Sequence, residues 1–581
     1  MKNNLIGKNM KPSLLMVTVA MVASIAACTS ISTGGGAPLP NAGLALKQCE
    51  ALKGMKISAA DIGLPTNGAE VISAENLPVL APYEDTDGEH LLPTAARCLV
   101  MGKILPVSQT APPINFAVNL PLVWNGRALQ SGGGGLGGVV ITAPRGKASG
   151  RFDPMPLDKP YPINMGYATF GSDGGHQGPD SAFMKNDEAV RNYAADEIKK
   201  TYDAALKVIK AAFGQSPNHV FFNGESAGGR EALIAAQRFA SDYDGIVATS
   251  PVLSWNYIHL SDNNVRDHLI QGWLDAPAIK LLADRTHASC DSADGVKDGL
   301  ISRYLECNND AAALRCLGGV AQAGCLSDLQ IASVNAIREP WSMNVPMANG
   351  VNRYQGYGVT GDEDGARYQY SFYTVGTVKP SQPLPAGRGF EPGRGGILNF
   401  AAFWIRHAYA QDDAFDPYQF DPRPYAQRIQ YMSSLFDATS PDLSGMVKRG
   451  GKLLLIHPSA DNAVGLPMVA EYYRSVVARM GKEQTDSFMR FYVPVGGGHN
   501  LTGPTQIDAL SMLENWVLRG DAPPDQVTGY DMDIKNLQVL RSIPACRYPQ
   551  YPRYNGSGDY KEAKNYTCTQ RPDPLEFSGK P

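Results

Sequence analysis

A chain of 581 residues is too long for one ordinary domain and predicts a large core with an insertion or a second lobe. With 43% hydrophobic and 19% charged residues and a formal net charge of -4, it reads as a soluble globular protein without a strong field of either sign, which speaks against nucleic acid as a partner. Its 60 glycines and 42 prolines predict many tight turns and loops, where catalytic residues are often held.

Lys2, Lys8 and Lys11 precede the apolar run 14–23 and then small residues, so 1–27 read as a secretory signal peptide, too short for a mature anchor. Ile25-Ala26-Ala27-Cys28 resembles the lipobox of bacterial lipoproteins, whose Cys takes the lipid; an ordinary signal peptide with an incidental Cys is the alternative. Residues 28–43, rich in Ser, Thr, Gly and Pro, predict a flexible tether. The expected protein is exported, either as a lipoprotein of the periplasm or outer membrane, with lipidated Cys28 as its membrane contact, or secreted. Apart from Cys28, the cysteines are Cys49, Cys98, Cys290, Cys307, Cys316, Cys325, Cys546 and Cys568, an even set that suits disulfides in an oxidising compartment. Eight cysteines allow 105 pairings, of which nearest neighbours are the simplest, and none shows metal-ligand spacing.

From Cys49 to Asp244, short apolar runs alternate with amphipathic stretches, which predicts strands and helices in βα order around a mainly parallel sheet. Strands are expected at 115–120, 168–170, 219–222 and 245–248, with an amphipathic crossover helix over 187–213. Residues 252–447 read as irregular, rich in Asp, Gly, Pro and aromatics, and predict an inserted lid. Core periodicity returns with a strand at 452–456, a helix near 468–479 and a strand at 490–494. The expected order is therefore a first part of an α/β-hydrolase core at 44–251, a lid at 252–447, and the rest of the core at 448–581.

Gly224-Glu225-Ser226-Ala227-Gly228 fits G-x-S-x-G between a predicted strand and a predicted helix, the setting in which a sharp turn holds a serine hydroxyl outward. Serine needs a positioned base that is itself oriented by a carboxylate. In the order Ser, acid, His, the candidates are Asp461 after the strand 452–456 and His499 after the strand 490–494. Ala227 N–H is one candidate oxyanion donor, and Gly132 or Gly133 in the run 131–135 is the other. A Gly-rich turn or linker is the bland alternative for both segments. In the lid, Asp291, Asp294 and Asp298 fall within eight residues and could wrap a hard cation with the Val296 and Leu300 carbonyls, or form a solvated acidic loop.

These motifs, together with Trp124-Asn125-Gly126-Arg127, Ser172-Asp173-Gly174-Gly175-His176, Gly228-Gly229-Arg230-Glu231, 243–248 and 548–559, resemble the tannase and feruloyl esterase family, which also holds a terephthalate monoester hydrolase. The resemblance spans nearly all of the mature chain. It implies an α/β-hydrolase core with a lid, a structural Ca2+ at Asp291, Asp294, Val296, Asp298 and Leu300, no organic cofactor, and hydrolysis of small aromatic acid esters such as gallates or hydroxycinnamates. Two departures stand out. Glu225 and Asn500 occupy the positions of the cysteines that usually tie nucleophile and base loops together, and a Glu225–Asn500 hydrogen bond or packing is expected in their place. Val464 stands where the terephthalate monoester enzyme has an aromatic residue. Candidate substrate aromatics are Tyr368, Tyr370, Phe372, Tyr373, Phe400, Phe403 and Trp404, which serve equally well as lid core. The competing functions are a non-catalytic binding protein on a hydrolase scaffold, an acyltransferase, and an esterase of other aryl specificity. The sequence sets no oligomeric state.

Overall fold

The computed structural model describes residues 42–43, 46–85, 88–141, 155–178, 181–307, 309–365, 370–380, 393–499 and 503–570. The signal peptide 1–27, Cys28, most of the tether, Tyr368 and Asn500 lie outside them.

Twelve strands form one sheet. In chain order they are β1 (Lys56–Ile57), β2 (Ala69–Leu77), β3 (Arg97–Ile104), β4 (Ile114–Pro121), β5 (Arg127–Ser131) and β6 (Ala168–Ser172). They continue as β7 (His219–Glu225), β8 (Gly245–Thr249), β9 (Lys452–Ile456), β10 (Met489–Val493), β11 (Gln526–Met532) and β12 (Val539–Arg547). The spatial order is β11-β12-β10-β9-β8-β7-β5-β6-β4-β3-β2-β1. From β6 to β10 every neighbour is parallel. Both flanks are antiparallel, β1 to β4 on one side and β11 with β12 on the other. The expected βα order thus does not hold for β1 to β4, which pair antiparallel and, among the described residues, are joined without crossover helices.

β8 and all but the first residue of β7 are buried, as strands covered on both faces must be. Alternation sends Phe221 to one face and Phe222 to the other. Phe221 joins Val247, Leu454 and Tyr492 beneath the helix Ala509–Arg519. Phe222 joins the larger core that includes Ile198, Val208 and Leu233 from the helices Glu197–Phe213 and Ala227–Arg238. The crossover helix was expected to be continuous, but Asn192–Asp196 forms a π turn between Asp187–Arg191 and Glu197–Phe213. There the guanidinium of fully buried Arg230 donates to the Ala194 carbonyl at 2.6 Å and the Tyr193 carbonyl at 3.0 Å. That accounts for the arginine in the Gly-Gly-Arg-Glu motif as a structural clasp.

Residues 252–447 are more regular than expected. They contain the helices Trp255–Gln271, Ala276–Cys290, Asp328–Arg338, Gly396–Phe403 and Ala426–Phe436. Trp255–Gln271 explains the misreading: Asn256, His259, Ser261, Asp262 and Arg266 are buried alongside its apolar residues, so no clean apolar stripe marks it. Four disulfides join nearest neighbours, Cys49–Cys98, Cys290–Cys307, Cys316–Cys325 and Cys546–Cys568. Among the described residues no helix is long and apolar enough to cross a membrane.

Candidate active site

Ser226, Asp461, His499 and the glycine run all follow the carboxyl ends of parallel strands, β7, β9, β10 and β5 respectively. Open α/β sheets place their sites at that edge. Ser226 has φ 59° and ψ -120°, a conformation disfavoured for a residue with a Cβ. Its surroundings enforce the turn: Ser226 N–H donates to the Thr249 carbonyl of β8 at 3.0 Å, and its own carbonyl accepts from Arg230 N–H at 3.0 Å. Gly224 and Gly228 must be glycine here, since a Cβ at 224 would overlap the Gly228 carbonyl and one at 228 would stand 2.5 Å from the Gly133 carbonyl.

The hydroxyl and the two predicted partners converge. Ser226 Oγ lies 3.0 Å from His499 Nε2, and His499 Nδ1 lies 2.8 Å from Asp461 Oδ2. The bond to the carboxylate puts the ring proton on Nδ1 and leaves Nε2 free to accept from the serine. Asp461 is buried and its other oxygen takes the N–H groups of Ala463 at 2.8 Å and Val464 at 2.9 Å, so both lone-pair directions are fixed. Burial alone would raise the Asp461 pKa, but the His499 charge and hydrogen bond outweigh it and hold the carboxyl below its usual range. For His499, burial pulls the other way from the Asp461 charge, the Asp461 hydrogen bond and the Glu225 charge; the carboxylates win and raise its pKa above 6.5. His457, just after β9 as Asp461 is, is kept neutral, pushed down to about 4 by burial, with Nε2 on the Val464 carbonyl at 3.0 Å.

The glycine run is placed differently from expectation. Gly132 N–H donates to the Asn223 carbonyl of β7 at 2.8 Å, extending the β5–β7 ladder, and Gly133 N–H donates to the Glu231 carboxylate at 2.8 Å. Neither amide is free to meet an oxyanion in this structure. Ala227 N–H, the first in its helix, has no acceptor within it and remains one available donor beside Ser226. The stretch Ser172 to His176 supports the far side of the same loop: Gly138 N–H donates to the Asp173 carbonyl at 2.9 Å, and His176 Nε2 meets the Leu136 carbonyl at 2.5 Å.

Of the candidate aromatics, Tyr373 packs edge-on against the His499 ring at 5.2 Å, and Phe400 lies against Gly135 of the glycine run. Phe372 is half-exposed and edge-packed on Tyr373 at 4.9 Å. Tyr370, Phe403 and Trp404 are buried in the core.

In the acidic loop, Asp291 Oδ1 accepts from Asp298 N–H and Gly299 N–H at 3.1 Å each, Asp298 Oδ2 accepts from Tyr566 O–H at 3.0 Å, and the buried Asp294 carboxyl has its pKa raised to about 6 by burial, with the Ser302 hydroxyl beside it. Among the described residues no Lys or Arg lies within 4.0 Å of these carboxylates, and no three metal-ligating side chains already converge on one point. His287 Nδ1 stands 3.8 Å from Asp291 Oδ2, and the oxygen-only donor set fits a hard cation that would draw the three carboxylates together. The loop also touches the site, since Leu300 packs on Gly496 just before His499.

A family model described as tannase and feruloyl esterase matches residues 98–569. An uncharacterised esterase of Agrobacterium fabrum is 33% identical over 96% of this chain and 98% of its own. The mono(2-hydroxyethyl) terephthalate hydrolase of Piscinibacter sakaiensis is 28% identical over 79% of this chain and 82% of its own. Among solved structures, feruloyl esterase B from Aspergillus oryzae superposes with a TM-score of 0.71 at 24% identity, covering 90% of this chain and all of that one. The chain belongs to the tannase and feruloyl esterase family and is a carboxylic ester hydrolase with an α/β-hydrolase fold.

Proposed function

We propose that this esterase cleaves aromatic acid esters, such as gallates and hydroxycinnamates, through an acyl-enzyme on Ser226. The observation that carries the reading is the continuous Ser226–His499–Asp461 hydrogen-bond chain at 3.0 and 2.8 Å. As Oγ attacks the ester carbonyl, His499 Nε2 takes its proton. That proton passes to the alcohol oxygen as the C–O bond breaks, leaving the acyl group on Ser226. Water then repeats the attack through the same base and releases the acid. Tyr373 and Phe400 beside the site, and relatives named as feruloyl esterases, support an aromatic acyl group. Val464 in place of an aromatic residue argues against terephthalate monoesters. A panel of methyl gallate, methyl ferulate and p-nitrophenyl acetate tests this: kcat/KM for an aryl acid ester should exceed that for the acetyl ester at least tenfold per unit of leaving-group reactivity, and a preference for acetyl would refute the aromatic assignment.

Because His499 must be neutral to act and its pKa is raised, kcat/KM should rise with pH through a midpoint above 6.5 and fall away in acid. Glu225→Gln removes one of the raising charges and should move that midpoint downward. An unmoved midpoint would take Glu225 out of the electrostatics of the base.

We further propose that Asp291, Asp294 and Asp298, with the Val296 and Leu300 carbonyls, bind structural Ca2+, and that the protein is exported, which its four disulfides support. At free Ca2+ about 100-fold above Kd, binding adds about 2.7 kcal/mol to stability. Chelation should therefore lower Tm by several degrees and, through Leu300 on Gly496, reduce kcat, with both restored by added Ca2+. A Tm indifferent to chelator would remove the metal from this account.

A further inference from the structure

Between the nucleophile helix and the glycine run lies a buried carboxyl group that the reaction does not use. Glu231 stands five residues after Ser226 in Ala227–Arg238, and its carboxylate accepts the Gly133 amide at 2.8 Å. The approach is close on both sides: a Cβ at Gly132 would lie 2.8 Å from Gly228 Cα and 2.9 Å from Glu231 Oε2. The run is therefore seated on the helix through glycine contacts and one hydrogen bond to a carboxyl oxygen. Beyond it, Tyr193 O–H holds the Gly135 carbonyl at 2.6 Å. With the Gly132 and Gly133 amides both turned inward, Gly134 carries the first amide of the run without an acceptor among the described residues.

We infer that Glu231 is a positioning residue for the oxyanion site: by clasping the Gly133 amide it fixes the glycine run against the nucleophile helix. This rests on the reading of Ser226 as nucleophile. The acceptor atom matters more than the charge. Glu197, with its Oε2 2.5 Å from Ser172 Oγ, faces the same space, and Arg230 is 3.8 Å from Glu231. Burial first, and in Glu197 also the Glu231 charge, raise both carboxyl groups, while the Arg230 charge opposes the rise. An amide of the same shape, its oxygen toward Gly133, fits such a site.

The test compares Glu231→Gln, Glu231→Asp and Glu231→Ala on one aryl ester, with Tm and stoichiometric titration of Ser226 by an organophosphate to count folded, competent sites. Expected is a kcat per titrated site within threefold of the parent for Gln. For Asp, one methylene short of Gly133, and for Ala, the expected loss is at least thirtyfold with KM changed less than threefold, because a displaced oxyanion site weakens the transition state more than substrate binding. A Gln variant as poor as Ala, or Ala and Asp variants with parental kcat per site, would overturn the inference. If Ala does not fold, the Gln and Asp pair decides it alone. Failure of the organophosphate to label the parent at Ser226 would instead strike the nucleophile assignment.

Discussion

Ser226→Ala is expected to cut kcat by about 10^5- to 10^6-fold, the scale on which loss of a triad nucleophile leaves only binding and oxyanion contributions. The fold should survive. The strained turn at φ 59° is held by backbone bonds to Thr249 and Arg230, which alanine keeps, and the lost hydroxyl has its hydrogen bond to His499. Tm should stay within about two degrees, because a partly buried hydroxyl with one hydrogen bond is worth only about 1 kcal/mol. Steady-state kinetics beside a thermal melt check both. Residual turnover above about 1% of the parent, in protein free of contaminating esterase, would move the chemistry to another residue.

Asp461→Asn has the next largest expected effect, a fall in kcat of about 10^3- to 10^4-fold with KM nearly unchanged. Asp461 Oδ1 takes the Ala463 and Val464 amides, so an asparagine would keep its oxygen there and turn its NH2 toward His499. Nδ1 would then have to accept, the ring proton would move to Nε2, and the serine would face a donor where it needs an acceptor. The loss should sit in kcat because substrate contacts are untouched. A fall of less than tenfold would mean that the 2.8 Å contact does not set the tautomer.

The convergence of Ser226, Asp461 and His499 was legible because each follows a short buried strand, and the hydrolase chain order leaves few ways to choose them. The disulfides were legible because each pair closes a local loop. Other features depend on register or on burial of polar residues, which periodicity does not report. The Gly132 amide is spent because β5 pairs with β7 far enough to continue the ladder past Ser131. Glu231 reads in sequence as an ordinary helical glutamate, yet its helix is buried on nearly every side. β11 and β12 were missed because they form a partly exposed edge whose residues mix polar and apolar types.

The assignment is tested most directly by intact-protein and peptide mass spectrometry of enzyme quenched during turnover of a slow aryl ester. A single acyl adduct on Ser226, absent in Ser226→Ala and longer-lived in acid, is the expected result. An adduct on a different side chain, or complete conversion with Ser226 never modified under conditions that trap a reference serine esterase, would contradict it.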